Sequence, residues 1–345
     1  MAGAINPNYK KGGGQSAPKS PEAWLELVRH GGMPGLSRAI SLLENHKQEA
    51  RSTANALLDL CLPYSGKSLR LGITGIPGAG KSTYIEQAGQ YWLQKGYRMA
   101  ILAVDPSSQR TGGSILGDKT RMEHLSRNPE VFIRPSASAG ALGGVGLRTR
   151  EAMLLCEAAG YDLILVETVG VGQSEIAVRS MVDLFTLIAI PGAGDELQGI
   201  KRGIMEMADT ILINKAEPPA EQKAKMAAAE LRNALHLFPK HPYGMEPQVL
   251  LMSALKNQGI KASVDHLESM LLKARDSGAM EKRRKDQAVF WFQEALQGQW
   301  EHILERNSKV HQRYLDLKAQ VSSAQISPFL AAQQLWAELV SARGH

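Results

Sequence analysis

The run Gly75-Ile76-Pro77-Gly78-Ala79-Gly80-Lys81-Ser82 satisfies GxxxxGK[ST], a pattern whose residue types meet one chemical need, the enclosure of a chain of phosphates. Its glycines let successive backbone N–H groups curl round the oxygens, Lys81 brings a cation to the β and γ phosphates, and Ser82 offers a hydroxyl to Mg²⁺ at the start of a helix. Gly75, Pro77, Gly78, Ala79, Gly80, Lys81, Ser82 and Thr83 are the expected phosphate-binding residues. Further candidates stand where apolar runs end. Leu163–Val166 leads into Glu167-Thr168-Val169-Gly170, which supplies a carboxylate for Mg²⁺ and then a glycine whose N–H can approach a γ-phosphate unobstructed by a Cβ. Val171–Glu175 is then expected to move when that phosphate leaves. Asp105 closes the run Met99–Val104, and Asp118, Lys119 and Arg121 follow in Gly112–Arg121. Ser82, Asp105, Asp118 and Glu167 form the expected metal set, acting mostly through water as Mg²⁺ prefers. Lys119 or Arg121 is placed to neutralise phosphate charge.

Two loops have the chemistry to read a base. Asn214-Lys215-Ala216-Glu217 is NKxE, close to the NKxD that reads guanine, and Ser253-Ala254-Leu255 resembles the loop whose backbone contacts the guanine oxygen. A carboxylate at the fourth position accepts from guanine N1–H and the 2-amino group, donors that adenine cannot present together. Here it is Glu217, whose extra methylene shifts the carboxylate by about one C–C bond. Guanine selectivity is therefore either weakened or supplied partly by neighbouring residues.

The elements that must position these loops can be read from the apolar pattern. Short β-type runs at Leu69–Thr74, Met99–Val104, Val131–Ile133, Leu163–Val166, Leu184–Ile190, Thr210–Ile213 and Val249–Met252 are mostly separated by helical patterns. The expected fold is α/β, a P-loop NTPase with a mostly parallel, doubly wound sheet whose strand carboxyl ends face the ligand. Four regions are expected: a disordered tail over residues 1–23, an N-terminal helical segment over 24–66, the nucleotide core over 67–260 and a C-terminal helical segment over 261–345. Gly140–Gly146 reads as a mobile loop near the nucleotide. Periodic apolar residues in the flanks, such as Val289, Phe292 and Leu296, either pack on the core or drive self-association.

Composition narrows the function classes. With 345 residues and 43% hydrophobic content the chain can bury a large core. No apolar stretch approaches the roughly 18–20 residues of a spanning helix, so no membrane partner is expected. Met1–Pro21 lacks the apolar region of a secretory signal. Its two cysteines, Cys61 and Cys156, lie in apolar helical patterns and read as core residues of a protein in a reducing compartment. The net charge is +6, and the basic run Lys282-Arg283-Arg284-Lys285 reads as a solvated helix face rather than a nucleic-acid site, since aromatics are only 6%.

The order of P-loop, Asp105–Ser108, Thr111–Met122, Glu167–Glu175, Gly192–Gly203, NKxE and Ser253–Leu255 resembles the G3E-type P-loop GTPases that serve as chaperones of adenosylcobalamin-dependent methylmalonyl-CoA mutase. The resemblance covers about residues 24–340. It implies a cytoplasmic or organellar homodimer that hydrolyses GTP to GDP and phosphate and gates cofactor delivery to an acyl-CoA mutase. It also implies protection or reactivation of that enzyme, with adenosylcobalamin carried on the partner rather than on this chain. By matching positions, Lys81 and Ser82 hold phosphate and Mg²⁺, and Asp105, Asp118 and Glu167 are the metal-coordinating acids. Asn214, Lys215 and Glu217 read the base, and Gly192–Lys201 is an additional switch facing the mutase. Lys201 or Gln198, entering from that switch, is the candidate for completing catalysis beside Lys81 and Glu167. Relatives usually carry Asp where this chain has Glu217. The alternative, a GTPase inserting another metal such as nickel, is disfavoured because such proteins usually add His- or Cys-rich tracts, whereas the nine histidines here are scattered.

Overall fold

The computed structural model describes residues 18–45, 47–104, 122–135, 142–168, 174–191, 202–238, 243–244, 246–306 and 308–341. Seven strands, β1 (Leu69–Thr74), β2 (Met99–Val104), β3 (Val131–Arg134), β4 (Leu163–Thr168), β5 (Leu184–Ala189), β6 (Thr210–Ile213) and β7 (Gln248–Leu251), form one sheet in the order β3-β2-β4-β1-β5-β6-β7. Every pairing is parallel. Each expected β-run is a strand, and β4 continues two residues past its expected end, so Glu167 lies within the ladder opposite Ile73 and Ala103.

Helices cover both faces, which is why the strands read as continuous apolar runs. Even and odd strand residues feed separate cores. Ala100, Leu102 and Val104 join Ile164, Val166 and Phe185 on one face. Leu69, Leu71 and Ile73 join Ile101, Leu163 and Leu165 on the other. The first face is covered by α1 (Pro21–His30), α2 (Gly32–Leu43), α3 (Gln48–Cys61), α6 (Leu142–Ala158), α7 (Ser174–Arg179), α8 (Arg202–Met207) and α9 (Glu221–Leu235). The second is covered by α4 (Lys81–Gln94), α5 (Glu123–Arg127) and α10 (Ile260–Asp276). Helix α1 begins at Pro21, behind a Ser20 side chain that accepts from Ala23 N–H, three residues before the expected helical segment. Cys61 and Cys156 are both buried, as their setting implied.

The C-terminal part comprises α11 (Ala279–Arg306), α12 (Ser308–Ser322) and α13 (Pro328–Ser341). Helix α11 passes beneath the amino ends of the strands: Met280 packs in one core and Trp291 in the other. Here the reading of Lys282–Lys285 as a solvated face fails. Lys282 and Lys285 are exposed, but Arg283 is only 1% exposed. Arg283 donates to Asp183 O and pairs with Asp209, and Arg284 pairs with Asp183 and donates to Gly66 O and Ser68 O. The carboxylates and carbonyls at the strand amino ends need donors, and a helix crossing that edge supplies them.

A second correction concerns Gly140–Gly146. From Leu142 onward this stretch is the first turn and a half of α6, not a loop. Gly146 is buried, and a Cβ there would come within 3.0 Å of the Trp291 ring and 3.2 Å of Ala177 Cβ, so small residues serve close packing of α11 and α7 against α6. Residues 136–141 lie outside the described residues.

Candidate nucleotide site

Strand β1 delivers the P-loop at its carboxyl end, and helix α4 starts at Lys81 with no side chain capping its first N–H groups. An uncapped helix start aimed from a loop is an anion cradle. The preceding Gly80 has φ 92°, and a Cβ on it would sit 2.3 Å from Asn214 Nδ2. Only glycine satisfies both constraints. Lys81 is 6% exposed and folds back over the loop, its Nζ donating to Gly75 O at 2.8 Å and Ile76 O at 3.2 Å. Pro77, Gly78 and Thr83 are exposed, whereas Gly75 and Ala79 are buried beneath them.

Glu167, near the end of β4, accepts from Ser82 Oγ at 3.0 Å. The ladder explains the meeting, because β4 lies between β1 and β2 and brings Glu167 level with Ile73, two residues short of the P-loop. Val104, the residue before Asp105, pairs with Thr168. A hydroxyl and a carboxylate together are hard oxygen donors of the kind Mg²⁺ takes. The other expected acids, Asp105 and Asp118, lie outside the described residues, as do Gly170, Gln198 and Lys201.

The two loops expected to read the base converge on the P-loop through one side chain. Asn214 is 3% exposed; its Nδ2 donates to Ala79 O at 2.7 Å and its Oδ1 accepts from Ala254 N–H at 2.8 Å. Adjacent strands β6 and β7 bring these loops together, and Ala216 N–H donating to Met252 O continues their pairing at 3.0 Å. Ser253 and Gln258 close the second loop by a reciprocal pair of backbone hydrogen bonds. Leu255 at its tip is 75% exposed, and Lys215 is exposed with φ 59°. Glu217 is half-buried, and its Oε2 is shut off from solvent with no hydrogen-bond partner among the described residues. A carboxylate oxygen left so is costly unless a donor arrives, and the N1–H and 2-amino edge of guanine presents two. The residues therefore fit a guanine nucleotide with Mg²⁺ at Ser82 and Glu167.

The chain matches, over residues 36–309, the family described as methylmalonyl-CoA mutase-associated GTPase MeaB. It belongs to that family. Among relatives of this MeaB-family chain, the GTPase ArgK of Escherichia coli (strain K12) is 42% identical over 311 residues, covering 90% of this chain and 94% of that protein. The mitochondrial methylmalonic aciduria type A homolog of Mus musculus is 42% identical over 313 residues, covering 87% of this chain and 75% of that protein. A solved structure titled LAO/AO transport system kinase superposes with a TM-score of 0.73 at 34% identity, covering 93% of this chain and 97% of that one. As a MeaB-family member the chain is a GTPase.

Some supports of the site of this MeaB-family GTPase are not among its candidate residues. Thr74 and Thr168, both fully buried, share a hydroxyl hydrogen bond of 2.9 Å that ties the end of β1 to the end of β4. Their sequence signal was position alone, Thr74 just before the P-loop and Thr168 just after Glu167. Glu86, buried on α4, accepts from His124 N–H at 3.0 Å and Leu125 N–H at 3.5 Å, fixing α5 to the P-loop helix. A carboxylate on the inward face of a helix was the signal, and its backbone partners are invisible without the fold.

Proposed function

We propose that this chain hydrolyses GTP to GDP and phosphate with Mg²⁺ and uses the cycle as chaperone of an adenosylcobalamin-dependent acyl-CoA mutase, gating cofactor loading and protecting or reactivating that enzyme. Family membership across residues 36–309 carries this reading. The buried, unmatched Glu217 Oε2 supports guanine as the base. In this reading Gly75, Pro77, Gly78, Ala79, Gly80, Lys81, Ser82 and Thr83 hold the phosphates, and Asn214, Lys215, Glu217, Ser253, Ala254 and Leu255 hold the base. Bound Mg²⁺ offsets charge on the phosphates; Ser82 and Glu167 hold it, with Asp105 and Asp118. Lys81 leaves the Gly75 and Ile76 carbonyls for the phosphate oxygens, and the P-loop N–H groups orient the γ-phosphate for in-line attack by water. Gly170 senses the γ-phosphate, and Lys201 completes the site when the mutase binds.

Adenosylcobalamin stays on the partner enzyme. The chain works in the cytoplasm as a homodimer, contacts neither membrane nor nucleic acid, and self-associates through its C-terminal helices. Exposed Val289, Phe292 and Leu296 recur at helical spacing on α11, and Phe329, Leu330 and Trp336 are exposed on α13. Among the described residues no helix is long and apolar enough to cross a membrane. The test is cofactor transfer. Apo-mutase, adenosylcobalamin and the chaperone are mixed with GTP or a non-hydrolysable analogue, and loading is followed by the cobalamin absorbance. Loading that depends on hydrolysis supports the reading, and loading indifferent to chaperone and nucleotide overturns it.

A further inference from the structure

At the amino ends of the strands, on the far side of the sheet from the P-loop, buried guanidinium groups outnumber the carboxylates that answer them. Arg70, at the start of β1, donates its Nε to Glu157 Oε1 at 2.7 Å, with side-chain exposures of 3% and 0%. The other Glu157 oxygen accepts from Gly66 N–H. Arg284 takes Asp183 as its partner. These pairs consume both carboxylates acting on this spot. Arg150 comes from α6 two helical turns before Glu157, hence on the same face, and it feels the charges of Arg70, Glu157, Arg284 and Asp183. Three cations face two anions, so one positive charge is left over.

The geometry shows where that charge is felt. Nη1 of Arg70 and Nη1 of Arg150 are both sealed from solvent, and neither has a hydrogen-bond partner among the described residues. Burial, with Arg70 beside it, pushes the Arg150 guanidinium down to about 10, which still leaves it charged at neutral pH. A guanidinium cannot shed its proton to escape the low-dielectric interior, as a lysine can, so a buried unmatched one needs a counter-charge.

We propose that Arg70 and Arg150 hold a small monovalent inorganic anion, of which chloride is the type, between the amino end of β1 and α6. One negative charge closes the balance, whereas a dianion such as phosphate would reverse it. The two orphaned N–H groups are its donors. The anion lies about 16 Å along β1 from the P-loop, so it is separate from the nucleotide site. It stabilises the joint where Arg284 fastens α11 beneath the sheet.

The experiment uses the full chain exchanged into gluconate, a bulky anion, at constant ionic strength. Chloride or bromide is then titrated in while thermal unfolding is followed. The expected result is a saturable Tm increase of roughly 2–4 °C with either halide. Arg150→Met, which keeps the bulk and removes the charge, should unfold at the same temperature in halide and gluconate. Crystals soaked in bromide should show an anomalous peak between the two guanidinium groups. Equal Tm in halide and gluconate for the unaltered chain, or a bromide map with no peak there, overturns the proposal, and neither result depends on the variant folding.

Discussion

Ser82 Oγ donates to Glu167 Oε1 across 3.0 Å, joining the P-loop helix to a strand 85 positions later in the chain. The two atoms are those assigned to Mg²⁺, and in the present arrangement each holds the other in place. Ser82→Ala is expected to lower Mg²⁺-dependent GTP turnover about 100-fold or more, since the metal loses a ligand and Glu167 loses its positioning partner. Single-turnover hydrolysis across a Mg²⁺ titration checks this. A variant retaining full turnover at low Mg²⁺ would remove Ser82 from the metal site.

In the proposed reading Glu217 recognises the base. Glu217→Ala deletes the carboxylate meant for guanine N1–H and the 2-amino group, and a loss of about 10–100-fold in GTP affinity is expected, with ATP affinity little changed. Glu217→Asp shortens the side chain to that of the NKxD pattern and is expected to raise the GTP:ATP preference. Competition binding with the two nucleotides measures both. An unchanged ratio in both variants would place base recognition elsewhere.

Gly80 is constrained from two directions. Gly80→Ala must adopt φ 92° with a side chain and push its Cβ to 2.3 Å from Asn214 Nδ2. Asn214 would then lose its bond to Ala79 O, uncoupling the P-loop from the base loops. The expected cost is about 1–3 kcal/mol in stability with a large drop in nucleotide affinity. Thermal unfolding with and without GDP separates the effects, because the variant's Tm should hardly respond to GDP.

The joint under the sheet predicts both a mutational and a pH effect. Arg283→Leu takes the nearer of two guanidinium groups from the buried Asp209 carboxylate, which keeps Arg179 at 3.7 Å and the Phe185 N–H, and is expected to destabilise the protein by about 3 kcal/mol. Burial alone would push the Glu157 carboxyl up, but Arg70, the Gly66 N–H and Arg284 outweigh it and hold the group below its ordinary 4.5. A carboxyl depressed in the folded state stabilises fully above 4.5 and loses that contribution as pH falls through the folded value. Urea unfolding from about pH 6 downward should show stability falling in that window, and the fall should be smaller in Glu157→Gln. Equal slopes would dissociate Glu157 from acid lability.

Much of the fold was legible because parallel strands buried on both faces read as unbroken apolar runs. All seven appear where the pattern placed them. The P-loop, NKxE and Ser253–Leu255 stood out in the sequence because phosphate and base chemistry restrict residue types at fixed spacing, and the sheet order makes the last two neighbours. What was not legible depends on partners distant in sequence. Arg283 looks like any solvated cation until α11 is known to cross beneath β5 and β6. Gly146 looks like part of a loop until Trp291 is known to press on it. Asn214 was readable as a base contact, yet its role as the strut between Ala79 and Ala254 needed the fold.

The most direct test of the central claim is hydrolysis of GTP and of ATP by the purified protein with Mg²⁺, alone and with each of several cobalamin-dependent acyl-CoA mutases. The account predicts slow GTP turnover that one mutase accelerates, with ATP a poor substrate in every mixture. Turnover that no mutase changes, or a preference for ATP, would contradict it.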